Sequence, residues 1–386
     1  MEMAFEELKI RSFDREIDRE RIEDFERRCE IGPAESVFLF TDTMGDPICR
    51  IRHCPQYKML VAELNHELVG VIQGSIKIVT VCKDQARVGY ILGLRIAPLH
   101  RRKGIGMKLV KRLEEWFIAN HVDFSYMATD KDNEASVKLF TNKLGYVKFR
   151  TPAILVHPVG MRRMRISPTV EIAKLKIEDA ERLYRMFMGS TEFFPRDIDR
   201  VLRNKLSLGT WIAYPRGESW VNSSGQGQLP PNWAMVSVWN SGDVFKLRVG
   251  KAPLSCVMYA KSSRLMDRAF PCLKIPVFPD VFRPFGFYFM YGLHQEGPRS
   301  GVLVSSLCRF VHNMAKELDE EDCKVIVTEV GGDDTLKLHI PHWKLLSCAE
   351  DFWCIKGLRK EAQDTLFELL TKKPASRALF VDPREV

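Results

Sequence analysis

Hydrophobic and polar positions follow two rhythms along the first 150 residues, and the switches between them predict the elements. "EELKIRSF" alternates with period two and reads as a strand. "REIDRERIEDFERRCE" follows as a charged helix with Ile17, Ile22 and Phe25 on one side. "YKMLVAEL" and "ELVGVIQGSIKIVTV" are strand runs joined by a hairpin turn at "NHE". "VGYILGLRIAPLH" is apolar on both faces, as a central strand covered on both sides must be. Beyond it Ile105, Leu109, Leu113, Trp116 and Phe117 recur at helical spacing, with Lys108, Lys111, Arg112 and Glu115 opposite. "VDFSYMAT" is the next strand. "DNEASVKLFTNKLGY" is a second helix, with Asp132 or Asn133 as its N-cap and Gly145 as its stop. "YVKFRTPAILV" then closes a domain over residues 1–156.

A basic, proline-flanked stretch, "HPVGMRRMRISP" (157–168), reads as a solvated linker, with a weak nuclear-import signal as the lesser alternative. The pattern then restarts over 169–386. "VEIAKLKIEDAERLYRMF" is strand then helix, and "LGTWIAYP" and "WAMVSVWNSGDVFKLRV" are strands separated by a Gly-, Ser- and Pro-rich insert that predicts a mobile loop over 215–232. "FGFYFMYGLHQEGPRSGVLVSSLCRFVHNMAKEL" repeats the order of apolar strand, turn and amphipathic helix, and "CKVIVTEV" follows as a strand. The fold class expected is α/β (α+β): tandem domains, each a mixed central sheet flanked by helices, the second a weakly preserved copy of the first.

Bulk properties narrow the function classes. A chain of 386 residues is too long for one compact core, and 45% apolar with 28% charged residues is ordinary for a globular chain. No apolar stretch approaches the roughly 20 residues of a membrane span. The N-terminus alternates acids and bases without an apolar signal core. These features predict an intracellular protein, neither secreted nor membrane-spanning. Ten cysteines include no C-x-x-C pair. Cys49, His53 and Cys54 in "CRIRHC" have an unusual spacing and no matching pair, so packed thiols are expected and no metal. A net charge of +8 suits an acidic ligand, but not nucleic acid in particular, since no basic face is interleaved with stacking aromatics.

The candidate chemistry lies in "HRRKGIGMKLV" (100–110). A helix N-terminus exposes unpaired N–H groups and about half a positive charge, which attract an anion. Gly104 and Gly106 clear side chains from those groups, and Arg101, Arg102 and Lys103 add full charges. The P-loop pattern fails because Met107 and Lys108 follow Gly106, and the dinucleotide fingerprint fails for want of a third glycine.

"ILGLRIAPLHRRKGIGMKLV" resembles the acetyl-CoA motif R/Q-x-x-G-x-G/A of the GNAT acetyltransferase superfamily, with Arg101, Gly104 and Gly106 in the fixed positions. "NEASVKLFTNKLGY" resembles that superfamily's next signature, N-x-x-A-x-x-L-[Y/F]-x-x-x-G-[F/Y], and together they cover roughly residues 6–155. "FTDTMGDPICRIRH", "TEFFPRDIDRVLRNKLSLGT", "IPHWKLLSC", "DFWCIK" and "FVDPRE" extend the likeness to the plant Hookless family of N-acetyltransferases.

The resemblance implies acetyl-CoA as co-substrate. The pantetheine arm would lie along the backbone of Leu94, Arg95 and Ile96, where a local N–H steadies the oxyanion. The pyrophosphate would sit over Arg101, Arg102, Lys103, Gly104, Ile105 and Gly106. Asn133 would touch the cofactor, and Phe140 would stand where a tyrosine usually protonates the departing sulfur. It further implies a protein acceptor such as a histone, hormone-linked control of growth and gene expression, and a nuclear site of action with the cytoplasm as a second compartment. A CoA-binding regulator or scaffold without turnover is the alternative. Oligomeric state is left open.

The catalytic base is not given. A free lysine has a pKa near 10.4, yet must be neutral to attack. The central strand holds no carboxylate, leaving Tyr90 on it and Glu63 on an earlier strand as candidates. In the second half, Pro298 stands where an N–H donor is wanted and the R-x-x-G-x-G register is lost, so no second CoA is expected.

Overall fold

The computed structural model describes residues 7–28, 38–81, 83–160, 162–218, 229–251, 281–319, 322–371 and 378–386, with the single positions 258 and 262. They form two units: Met1–Thr151 with Asp351–Ala375 and Glu385, and Pro152–Glu350 with Ser376–Arg384 and Val386. No helix among the described residues is long and apolar enough to cross a membrane.

The first unit runs β1 (Leu8–Ser12), α1 (Arg15–Arg28), β2 (Phe38–Asp42), β3 (Gln56–Leu64), β4 (Glu67–Val81), β5 (Asp84–Ile96), α2 (Ile105–Ala119), β6 (Phe124–Asp130), α3 (Glu134–Val137) and β7 (Val147–Arg150). Asn65 and His66 both have positive φ, the geometry of a two-residue turn whose twist matches the β3–β4 hairpin. On α1, Ile22 and Phe25 are buried as expected, whereas Ile17 is 59% exposed because it lies in the first turn, off the buried stripe. α2 packs Ile105, Leu109, Leu113 and Phe117 into one cluster with Ile72, Ile76, Ile91 and Met127 of the sheet.

The main sheet has the order β1-β3-β4-β5-β6-β15-β7, where β15 is Asp351–Gly357 from the far end of the chain. α7 (Lys360–Thr371) belongs to this unit too. All its pairs are antiparallel except β5–β6.

The second unit contains β8 (Ala153–Pro158), β9 (Val170–Lys174), α4 (Ile177–Met188), α5 (Ile198–Leu202), β10 (Ser207–Pro215), β11 (Trp233–Asn240), β12 (Lys246–Lys251), β13 (Gly286–Glu296), α6 (Ser300–Asp319) and β14 (Cys323–Val330). Its sheet order is β8-β14-β13-β11-β10-β9, again with one parallel pair, β13–β14. The duplication extends to detail. β4–β5 shifts register between Val71 and Gln73, opposite Gly93 at φ +62; β11–β13 shifts between Met235 and Ser237, opposite Gly292 at φ +59. Each is a bulge that bends a central strand with a glycine where φ must be positive.

Two expectations are corrected. The domain does not close at 156: β8 pairs with β14, from Ala153↔Val330 to Pro158↔Val325, while β15 fills the place beside β6. Each half of the chain thus supplies one strand to the other half's sheet. An apolar run announces a strand but not which sheet receives it. Nor does 157–168 link the two units: it joins β8 to β9 within the second, with Arg162, Arg163 and Arg165 exposed. Met164 N–H donates to Asn313 Oδ1 at 2.7 Å, the Asn313 amide donates back to Met164 O at 2.9 Å, and Arg163 pairs with Glu317. The loop predicted over 215–232 falls largely on 219–228, outside the described residues.

Candidate acyl-CoA site

The site begins where two strands part. The parallel β5–β6 pairing runs from Val88↔Phe124 to Ile91↔Met127 and stops there, although β5 continues to Ile96. The bulge at Gly93 turns β5 away, and its residues change from buried to half-buried from that point. Leu94, Arg95 and Ile96 therefore present a strand edge toward an opening that no described strand of the sheet fills. The Leu94 carbonyl accepts from Arg95 Nη1 at 3.1 Å and the Ile96 carbonyl from Arg101 Nε at 3.3 Å. β5 and β6 thus splay apart beyond Ile91, beside the residues expected to hold a pantetheine arm.

The turn above it matches the anion cradle. Gly104 caps α2 at φ +81, a conformation that costs other residues about 1–2 kcal/mol. Arg101, Arg102 and Lys103 are exposed, and the first turn of α2 carries no acid. A Cβ on Gly104 would meet nothing within 4 Å, so the glycine serves φ and ligand access rather than protein packing. A Cβ on Gly106 would lie 3.5 Å from Leu139 Cδ2 and 3.8 Å from side-chain carbons of Ile96 and Leu94. Leu94, Ile96, Gly106 and Leu139 thus meet in one place. Asn133 caps α3, its Oδ1 accepting from Ser136 N–H at 3.3 Å.

Phe140 does not line this opening. It is fully buried, edge-on to Tyr146 with ring centroids 5.1 Å apart. The reason lies in the chain: Phe140 and Gly145 are separated by Thr141 to Leu144, one residue more than the motif allows. Lys138–Lys143 takes up the extra residue as a π-helical turn, which rotates the side chains beyond it. Leu139 borders the cradle instead.

Of the two base candidates, Glu63 is engaged by two arginines. Arg11 donates to it at 3.1 and 2.8 Å and Arg21 at 2.7 Å, and these bonds hold its carboxyl down at about 2. Tyr90 is nearly buried on β5, opposite Ser75 on one side and Tyr126 on the other, its ring centroid 4.8 Å from that of Tyr126.

That row shows what the sequence reading missed. While α2 covers one face of the sheet, β4 points Gln73, Ser75 and Lys77 to the other, and all three are buried. Gln73 Nε2 donates to Pro47 O at 2.9 Å, but Gln73 Oε1 and Ser75 Oγ have no hydrogen-bond partner among the described residues. Lys77 Nζ lies 2.8 Å from Glu385, and Tyr126 donates its hydroxyl to the same carboxylate. The one available signal was Lys77 itself, a charge inside an apolar run. Nothing in "FVDPRE" announces where Glu385 goes.

The corresponding turn of the second unit borders a cavity of about 470 Å³ lined by Pro298, Arg299, Ser300, Gly301 and His339. α6 starts at Ser300, which puts Gly301 in the place of Gly106 and Arg299 in that of Gly104, so one of the two glycines thought lost is kept. A Cβ on Gly301 would lie 2.4 Å from the imidazole of His339: the ring packs against the glycine the ligand would need. Cys49 and Cys54 are buried, and burial pushes the Cys49 thiol up to about 12. Among the described residues no group of three His, Cys, Asp or Glu side chains is placed to hold a metal.

Comparison with known proteins agrees with this geometry. The family model described as "Acetyltransferase (GNAT) family" matches residues 19–146. Two Arabidopsis thaliana proteins are similar over nearly the whole chain: "Probable N-acetyltransferase HLS1-like", 49% identical over 98% of this chain and 99% of its own, and "Probable N-acetyltransferase HLS1", 50% identical over 97% and 99%. Saccharomyces cerevisiae N-myristoyltransferase, solved with bound myristoyl-CoA, shares the fold at a TM-score of 0.57 and 9% identity, over 91% of this chain and 79% of its own. With a splayed central strand, a glycine cradle at a helix start and full-length relatives of this kind, the chain belongs to the Hookless-type N-acetyltransferases of the GNAT family.

Proposed function

We propose that the first unit transfers the acetyl group of acetyl-CoA to an amine of a protein, with histone lysines as the first acceptors to test and the nucleus as the place of action. The observation that carries the reading is the opening between β5 and β6 set directly below the Arg101–Gly106 cradle. Acetyl-CoA supplies the activated thioester. The residues of the chain do the rest. The α2 N-terminus with Arg101, Arg102 and Lys103 holds the pyrophosphate, and the free edge at Leu94–Ile96 orients the arm and offers N–H groups to the developing oxyanion. Phe140 is enclosed and has no hydroxyl, so it does not protonate the departing sulfur. A thiol pKa near 8.5 lets the thiolate leave unaided.

A second reading, an acetyl-CoA-binding regulator without turnover, is favoured by Phe140 and by the commitment of Glu63 to Arg11 and Arg21. Radiolabelled acetyl-CoA with core histones and a buffer control separates the two. Label in histone supports transfer; tight acetyl-CoA binding with no label in histone leaves the regulator.

A further inference from the structure

We propose that Glu385, acting through the Tyr126 hydroxyl, takes up the proton that the acceptor amine must lose before it attacks. The inference rests on the transfer reading above and supplies the base that the central strand lacks.

Four observations lead there. Glu385 is a carboxylate only 6% exposed, on the sheet face opposite α2. Its partners in the first unit include the hydroxyl of Tyr126, 0% exposed, and the ammonium of Lys77, 3% exposed and 2.8 Å away. Lys77 offsets the cost of burying the carboxylate charge. Tyr126 stands one residue before Met127, where β5–β6 pairing ends, so the pair sits at the closed end of the opening in which the thioester would lie. On the same face of the sheet, Ser75 Oγ and Gln73 Oε1 are buried without partners among the described residues. A face built only for packing would satisfy them; one that receives an amine leaves acceptors for its N–H groups.

The chemistry balances. The acceptor ammonium passes one proton to the Tyr126 oxygen as the hydroxyl proton moves to Glu385. The neutral amine then forms the N–C bond to the acetyl carbon as the C–S bond breaks. The second amine proton leaves with the thiolate as the free thiol, and Glu385 returns its proton to solvent. An ammonium and a thioester become an amide, a thiol and one released proton. Because Glu385 works through Tyr126, its contribution must be told apart from a merely structural one.

The test uses the full chain, acetyl-CoA and two histone-tail peptides, one with its lysine and one with an aminooxy group in the lysine's place. The aminooxy nitrogen is already neutral at pH 7.5 and has no ammonium proton to give up before it attacks. Glu385→Gln and Tyr126→Phe are each expected to lower kcat for the lysine peptide about 100-fold. KM for acetyl-CoA and kcat for the aminooxy peptide should stay within about threefold of the parent. Glu385→Asp should restore part of the loss. Should Glu385→Gln not fold, because Lys77 loses its ion pair with that carboxylate, Tyr126→Phe carries the test alone. Equal losses on both peptides, or none on either, overturn the assignment. Acetyl-CoA binding without transfer to either peptide by the unaltered chain overturns it together with the transfer reading, and failure to bind acetyl-CoA overturns the site itself.

Discussion

Gly104 is the position where one atom separates shape from charge. Alanine there must adopt φ near +81, and since its Cβ would meet nothing within 4 Å the cost is conformational only, about 1–2 kcal/mol. For a unit of this size that is a fall in Tm of roughly 2–8 °C. Glutamate carries the same strain and adds a carboxylate among N–H groups aimed at an anion. At about 5 Å from a phosphate charge and an effective dielectric near 20, the repulsion is about 3 kcal/mol, reduced somewhat by salt. We therefore expect Gly104→Ala to bind acetyl-CoA within about tenfold of the parent, and Gly104→Glu to bind about 30- to 300-fold more weakly at a similar Tm. Titration calorimetry with thermal melts on both variants decides it. A folded Gly104→Glu chain with unchanged affinity would refute the cradle.

Further outcomes depend on particular side chains. Glu63→Gln should keep acetyl transfer within about twofold while lowering stability by about 1–3 kcal/mol, because Arg11 and Arg21 lose a shared partner; a large loss of kcat at unchanged stability would restore Glu63 as base. Phe140→Tyr should lower Tm without raising turnover, since its hydroxyl would enter a closed core beside Tyr146; faster transfer would mean that Phe140 faces the sulfur after all. Burial, with the Asp130 carboxylate opposite, pushes the Asp351 carboxyl up to about 7. An acid whose folded pKa is raised contributes stability below its ordinary pKa near 4 and loses it as pH rises through the folded value. Denaturant melts between about pH 4 and pH 7 should therefore show stability falling with pH, and Asp351→Asn should flatten the slope; a parent chain equally stable across that range would contradict the assignment.

What the sequence made legible was local. The period of two in "EELKIRSF", the helical spacing from Ile105 to Phe117 and the glycine pair at 104 and 106 each depend on neighbours within a few residues, and each matches the structure. What it hid was long-range. "YVKFRTPAILV" reads as the close of the first half because alternation carries no address, yet β8 joins the sheet built mainly from the second half of the chain and β15 the sheet built mainly from the first. The same limit hid the polar face: Lys77 and Glu385 are 308 positions apart, and only folding makes them partners. Phe140 was misplaced for a subtler reason, one extra residue that a motif tolerates on paper and a helix resolves as a π turn.

Amide hydrogen exchange with and without acetyl-CoA tests the central claim most directly, because it locates the ligand without requiring turnover. Protection is expected over 93–106, where the free strand edge and the Gly104 cradle lie, and none over 297–305, where Pro298 offers no N–H and the His339 ring packs against Gly301. Protection at 297–305, or none at 93–106 under saturating acetyl-CoA, would contradict the account.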